Sequence, residues 1–148
     1  MQIRTAVASD VPRLVALVRR YWEFEGLSGF NALRTELLLE RLLTHSALGE
    51  VWVAAADEAL CGYLVLVHVL SLEHGGLTGE IDELFVLPEA RSQGVGGRLL
   101  ASAEAALRRR GGVRLQLQLA IGNAPALQFY QRRGYGARQA YGLFDKAL

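Results

Sequence analysis

Two neighbouring stretches of this chain combine residue types and spacings that chemistry can use. The first is Arg91-Ser92-Gln93-Gly94-Val95-Gly96-Gly97, set between the apolar run Leu84-Phe85-Val86-Leu87 and a helix-patterned face of Leu99, Leu100, Ala103 and Leu107. A strand that hands over to a helix through glycines makes an anion site. First-turn N–H groups have no internal partners, the helix dipole favours negative charge, and glycines at 94, 96 and 97 let a phosphate approach the backbone. Arg91 adds a fixed charge and a fork of donors. A P-loop needs Lys and then Ser or Thr after its last glycine, where Arg98 and Leu99 stand here, and the G-x-G-x-x-G spacing of dinucleotide sites is missing. The plainer alternative is a glycine-rich helix start that holds no ligand. The second stretch is the acidic pair Asp82-Glu83 inside the same apolar strand. Burying a carboxylate is costly without a partner or a task. In a regular strand the two side chains leave opposite faces, so only one meets a given site unless a bulge intervenes. Pairing with an arginine, or capping a hairpin, is the structural alternative.

The motif Arg91-x-x-Gly94-x-Gly96 after Leu84-Phe85-Val86 resembles the acyl-CoA pyrophosphate signature of the GNAT superfamily of N-acetyltransferases. A second motif, Asn123-Ala124-Pro125-Ala126-Leu127-Gln128-Phe129-Tyr130-Gln131-Arg132-Arg133-Gly134-Tyr135, is similar to that superfamily's later asparagine–tyrosine helix and its closing glycine–aromatic pair. Order and spacing agree over essentially the whole chain. The resemblance implies acetyl-CoA as acyl donor, with CoA as co-product. It implies pantetheine pairing with the backbone of Leu84, Phe85 and Val86, and the pyrophosphate on Arg91, Ser92, Gln93, Gly94, Val95, Gly96 and Gly97. A backbone N–H near the strand's middle would steady the developing oxyanion. Tyr130 is implied as the general acid toward the leaving thiolate, although Leu127, Tyr130 and Gly134 share a helix face and could be core. Asn123 is implied to cap its helix, contact the pantetheine arm, or do both.

The attacking amine must first lose a proton, and Asp82 and Glu83 are the carboxylates within reach, Glu83 favoured slightly for its length. The run Ile81-Asp82-Glu83-Leu84-Phe85-Val86 resembles the polyamine acetyltransferase branch. Acceptor recognition is expected from Tyr21, Trp22, Glu25, Glu73, Asp82 and Glu83, an aromatic and acidic set suited to a cation. Packing of Tyr21 and Trp22 against the sheet, with the glutamates in water, is the bland alternative. Ribosomal-protein acetyltransferases of the superfamily carry a glutamate where Gln118 stands here, which lowers a protein N-terminus as acceptor. The expected activity is acetyl transfer to a small primary amine, polyamine-like or amino-acid-like. The alternatives are an aminoglycoside or other drug-like amine as acceptor, and a CoA-binding module without chemistry.

Composition narrows the remaining classes. A formal net charge of +1 leaves no field to recruit nucleic acid or an anionic membrane. Cys61 is the single cysteine, which excludes an internal disulfide, and it reads as a small core residue. With three histidines at 45, 68 and 74, no metal-ligand spacing is present. No apolar run is long enough for a membrane span and the first residues lack a signal pattern, so a cytoplasmic location is expected. A homodimer is one assembly the resemblance allows.

The elements that must position these groups read as one domain over residues 1–148. A strand at 3–7 precedes a helix capped by Ser9, with Pro12 in its first turn and Val11, Leu14, Val18 and Tyr21 on one face. A leucine-rich helix at 33–43 is capped by Asn31. Strands at 51–55 and 60–70 flank a turn at Asp57-Glu58, and glycines at 71–79 break the chain before a strand at 80–87 that Pro88 ends. After the glycine-loop helix come a strand at 113–121, a helix from Asn123 to Arg133, and room for two short strands in 135–148. The string β-α-α-β-β-β-α-β-α-β-β gives an α+β fold. Its sheet is mixed and mostly antiparallel with helices on both faces, as in the GNAT-like acyl-CoA N-acyltransferases.

Overall fold

The computed structural model describes residues 1–57 and 59–148, in two compact units, Met1–Leu117 and Gln118–Leu148. Glu58, half of the expected hairpin turn, lies outside the described residues; Asp57 takes the left-handed φ of 53° that such turns use. In the first unit the order is β1 (Gln2–Thr5), α1 (Val11–Glu25), α2 (Ala32–Thr44), β2 (Gly49–Ala56), β3 (Ala59–Ser71), β4 (Gly76–Val86), α3 (Val95–Arg109) and β5 (Arg114–Leu117). The sheet runs β1-β2-β3-β4-β5; its first three pairings are antiparallel and β4–β5 is parallel. It is the mixed, mostly antiparallel sheet expected, with a crossover helix joining its only parallel pair. Among the described residues no helix is long and apolar enough to cross a membrane.

Alternation along the strands sorts the core into two layers. Val51, Val53, Tyr63, Val65 and Phe85 pack with Val11, Leu14, Leu17 and Val18 of α1 and Leu39 of α2. The intervening Trp52, Ala54, Leu64 and Leu66 are buried toward α3, whose Leu99, Leu100, Ala103, Ala106 and Leu107 form one buried stripe. Full burial of each such leucine contributes about 1.5–3 kcal/mol. Gly79 sits under that helix. A Cβ there would lie 2.7 Å from Leu66 Cδ1 and 2.9 Å from both Leu107 Cδ2 and Leu115 Cδ1, so any side chain would have to displace these leucine methyls.

Four sequence expectations change. Residues 71–79 are not a loop: only the tip between β3 and β4 turns, with Gly75 at φ 71°, while Gly76 and Gly79 belong to β4. The strand expected at 113–121 ends at Leu117, where its ladder with Ile81 stops. No strand forms at 135–148; Leu143 and Phe144 stay exposed there, because an apolar run becomes a strand only against a partner. Ser9 does not cap α1. A 3₁₀ turn at Ala8–Asp10 leads into the helix instead.

That turn carries Asp10, whose side chain is fully buried. Its carboxylate accepts from Arg4 Nη1 at 2.6 Å, Arg4 Nη2 at 3.0 Å, the Val7 N–H at 2.9 Å and Arg13 Nη2 at 3.2 Å, tying β1 to the start of α1. The hydrogen bonds from Arg4 hold the Asp10 carboxyl below its usual range, helped by Val7 N–H and Arg13. A depressed folded value means stability that is present above the unfolded carboxylate range and lost as pH falls through the folded one. Asp10→Ala is expected to cost about 3 kcal/mol in denaturant melts at neutral pH, because two arginines lose a buried partner. Asp10→Asn should flatten the acid side of the stability–pH curve; an unchanged acid side would remove this cluster from the account.

Candidate active site

The last turn of α1 stands over β4. Gly26 ends the helix in the left-handed region at φ 66°, and Leu27 N–H returns to Trp22 O at 2.9 Å, a glycine stop that fixes where Tyr21, Trp22, Phe24 and Glu25 lie. Below them β4 contains one unmatched residue. Val65 pairs with Glu83 but Leu66 pairs with Ile81, so Asp82 is the extra residue of a β-bulge. Ile81 is buried toward α3, and a regular strand would send Glu83 and Phe85 the same way. The bulge turns both toward α1 instead. Phe85 accordingly packs its ring against Tyr21 at 5.8 Å, Phe24 at 6.0 Å and Tyr63 at 6.4 Å between centroids.

Glu83 is held within this aromatic layer. Tyr63 Oη donates to Glu83 Oε2 at 2.6 Å, and the Trp22 side chain lies near enough to favour the ionised form of the same carboxylate. Burial pushes the Glu83 carboxyl up and the Asp82 charge adds to that, while the Tyr63 and Trp22 donors pull it partly back. Asp82 remains open to solvent as a residue, yet partial shielding of its carboxyl, and then Glu80, raise it as well. Burial and the charges of Glu83, Glu25 and Asp82 push the Tyr21 phenol up to about 12. Tyr63, fully buried beside Glu83, is raised further and stays protonated.

The bulge also marks the end of the β4–β5 ladder. Past Ile81, residues 83–86 of β4 pair with β3 on one side and, among the described residues of this unit, have no strand partner on the other. At the far end of that open edge the chain turns through Pro88–Ala90 and enters α3. Ser92 and Gly94 take φ values of 63° and 74°. The first helical bond is Arg98 N–H to Gly94 O at 3.1 Å, so the N–H groups of Val95, Gly96 and Gly97 precede it. Gly94 is exposed, and a Cβ added to it would meet nothing within 4 Å. An open edge leading to an unobstructed helix start fits an elongated ligand with an anionic end.

The sequence pattern of the Acetyltransferase (GNAT) family matches residues 12–135. The chain belongs to the GNAT family. It is 38% identical over 96 residues to the aminoalkylphosphonate N-acetyltransferase of Salmonella typhimurium, a match spanning 65% of this chain and 61% of that protein. It is 31% identical over 139 residues to the uncharacterized N-acetyltransferase YhfO of Bacillus subtilis, covering 91% and 89% of the two chains. Among solved structures it superposes on the integron cassette protein HFX_CASS3, from the mobile metagenome of Cole Harbour Salt Marsh. The TM-score is 0.88 at 30% identity, over 99% of this chain and 90% of that one. The protein is an N-acetyltransferase of a family whose general acyl donor is acetyl-CoA.

Of the residues expected at this GNAT site, the first unit brings Tyr21, Trp22, Asp82, Glu83 and Phe85 together, with Glu25 one helical turn beyond Tyr21. Glu73 is not among them. It lies in the exposed tip between β3 and β4, about 20 Å along the strand from Glu83 at ~3.3 Å per residue. The Leu84-Phe85-Val86 backbone lines the open edge, although Arg91 Nε already donates to Val86 O at 2.9 Å. The Arg91 guanidinium lies 4.5 Å from the Phe24 ring centre, and its remaining N–H donors are on the two Nη atoms. Ser92 and Gln93 are exposed beside it.

Sequence reasoning missed Tyr63. The available signal was a tyrosine among aliphatic strand residues, whose buried hydroxyl needs a partner.

In the second unit α4 (Ala124–Gln131) is capped by the Asn123 side chain, which accepts from Ala126 N–H at 3.2 Å. Tyr130 is buried, its ring 5.0 Å from Phe129 and 5.5 Å from Tyr135. His45 caps the end of α2, His68 lies in β3, and half-buried Cys61 directs Sγ to Ala54 O at 3.3 Å.

Gly96→Asp puts a carboxylate on the first turn of α3, where an anionic end would dock. CoA affinity, read by calorimetry, is expected to fall at least tenfold with little change in melting temperature. Wild-type affinity would show that the anion docks elsewhere.

Proposed function

We propose that this GNAT enzyme transfers the acetyl group of acetyl-CoA to the primary amine of a small cationic molecule, polyamine-like or amino-acid-like, by direct attack on the thioester. The observation that carries this reading is the bulge at Asp82, which turns Glu83 into an aromatic chamber with Asp82 beside it, at the strand's open edge. Bound acetyl-CoA supplies an electrophilic thioester carbonyl whose sulfur can leave. The residues of this chain do the rest. Asp82 and Glu83 attract the ammonium, and Tyr21 and Trp22 offer it ring faces. Glu83 takes one ammonium proton, freeing the lone pair that forms the N–C bond; as the C–S bond breaks the new amide nitrogen sheds a second proton, which balances the one gained by the thiolate, so one proton is released overall. Tyr130 is the proposed donor of a proton to the departing thiolate, and Asn123 the proposed contact for the pantetheine arm, both on the strength of the family motif. The α3 start, from Arg91 to Gly97, is proposed to hold the pyrophosphate.

A raised carboxyl suits this task, because a base with a value nearer neutrality takes a proton more readily from an ammonium. It also costs stability. A carboxyl raised by folding contributes stability only while protonated, and the ionised form needed at neutral pH is the disfavoured one. Glu83→Gln is therefore expected to lower kcat/KM by roughly 10²–10³-fold and to raise the melting temperature at pH 7.5. The stability gain should vanish below the carboxylate range. A variant that keeps wild-type turnover would end Glu83's role as base.

A second reading has one observation in its favour: the relative at 38% identity is named for aminoalkylphosphonates. Such acceptors bring the same ammonium together with an anion. Thiol release should be measured with spermidine, an aminoalkylphosphonate, basic and neutral amino acids and an aminoglycoside. The proposal expects the highest kcat/KM with the polyamine or an amino acid. A clear preference for the phosphonate or the aminoglycoside would replace the acceptor class. No turnover with any amine, while CoA still raises the melting temperature, would point to a binding module. Tyr130→Phe should lower kcat roughly tenfold or more and leave CoA affinity intact; equal kcat would return Tyr130 to the core.

A further inference from the structure

We propose that Tyr63 is a positioning residue: its buried hydroxyl pins Oε2 of Glu83 and leaves Oε1 as the atom that takes the acceptor's proton. The inference rests on the reading of Glu83 as base, and it concerns a residue on a different strand that would touch neither donor nor acceptor. Tyr63 has no exposed surface, and its ring is packed against Phe85. Its hydroxyl is therefore delivered at a fixed place, with the ring unable to swing away. The bond to Oε2, at 2.6 Å, is in the range of a charge-assisted O–H···O⁻ contact. Burial and the neighbouring Glu83 charge raise the phenol, so Tyr63 stays protonated around neutral pH. A donor that stays protonated where the amine reacts biases one carboxylate oxygen.

The surroundings of Glu83 leave few other groups able to do this. From β4 the facing charge is Asp82, itself next to Glu80. From α1 come the Trp22 indole, which favours the ionised carboxylate weakly, together with the Tyr21 phenol and Glu25. Arg91 lies across the Phe85 ring, 5.7 Å from its centre. Burial and Asp82 push the Glu83 carboxyl up, and the Tyr63 hydrogen bond is the larger of the two influences, with Trp22, that oppose the push. Removing the Tyr63 donor must therefore raise the carboxyl further, which moves the acid limb of the rate profile to higher pH. It also frees the carboxylate to rotate, so kcat should fall more than KM rises.

The test compares wild type, Tyr63→Phe, Trp22→Phe and Glu83→Gln with acetyl-CoA and the best amine of the panel. For Tyr63→Phe the acid limb of kcat/KM is expected to shift up by about one pH unit. Its kcat should drop roughly tenfold at neutral pH, with CoA affinity unchanged. Carboxyl titration of the ligand-free protein, followed by infrared difference spectroscopy and assigned through Glu83→Gln, should show the same upward shift without any turnover. Trp22→Phe should move both readouts in the same direction. If Glu83→Gln retains wild-type turnover, the base assignment fails whatever Tyr63 does. If Glu83→Gln is impaired but Tyr63→Phe titrates and turns over like wild type, the positioning role alone is overturned. A change in melting temperature without a shift in either pH readout would make Tyr63 a packing residue.

Discussion

A single unmatched residue, Asp82, divides β4 into two halves that serve different layers of the molecule. Before it, Thr78 to Ile81 are paired on both sides, and Ile81 belongs to the layer under α3. After it the parity of the strand is reversed, and Glu83 and Phe85 belong to the layer under α1. The same residue marks the end of the β5 ladder. The acidic side chains and the unpaired backbone therefore arise at one place from one local irregularity. A bulge costs ladder regularity, and here that cost creates an edge that a ligand can use while turning a carboxylate into an aromatic chamber. If Asp82 were instead paired regularly opposite Val65, every strand could still form, but Glu83 would fall opposite Leu64 and face the leucines toward α3.

Glycine serves three separate needs along the same path. Gly26 lets α1 stop where Tyr21 and Trp22 overlie β4. Gly79 lets α3 approach the sheet closely enough for Leu107 to touch it. Gly94 opens α3 in a conformation that leaves the first-turn N–H groups uncovered. Ser92 does nearby, with a β-carbon, what a glycine would do with less strain, at roughly 1–2 kcal/mol. A non-glycine residue with positive φ beside an exposed helix start belongs to the kind of local strain found at ligand sites.

What was legible in the sequence was local. Asn31 and Asn123 cap their helices as read, because a cap needs only the next three residues. The stripe on α3 and the glycine loop before it follow from helical spacing and one turn of backbone. What was not legible depends on residues far apart in the chain. The bulge at Asp82 is defined by which β3 residue pairs with which β4 residue, and nothing in Ile81-Asp82-Glu83 alone announces it. Tyr63 meets Glu83 only because the hairpin brings two residues twenty apart in the chain diagonally across one face of the β3–β4 pair. Gly76 and Gly79 looked like breakers since a sequence does not show the helix pressing on Gly79. The length of 135–148 left room for two short strands, but room supplies no partner, and pairing makes the strand. The same limit applies at Leu119, where the alternation continues after the β4 partner has ended.

The chamber brings opposing electrostatic demands into one small space. An ammonium is drawn in best by two ionised carboxylates, yet two carboxylates in a partly buried site each make the other harder to ionise. Three features of the structure moderate that conflict. Asp82 keeps access to solvent, which screens its charge. Glu83 receives a hydrogen bond from Tyr63, with Trp22 close by, and both favour its ionised form without introducing a permanent cation that would compete with the substrate. The tyrosines themselves are pushed well above neutrality, so they act as donors and never as a further negative charge. An arginine in place of Tyr63 would ionise Glu83 more completely, but it would satisfy the carboxylate with a full positive charge and repel the ammonium. Neutral donors in an aromatic shell leave the carboxylate's charge available to the amine, while burial keeps its proton affinity high enough to accept the proton once the amine arrives.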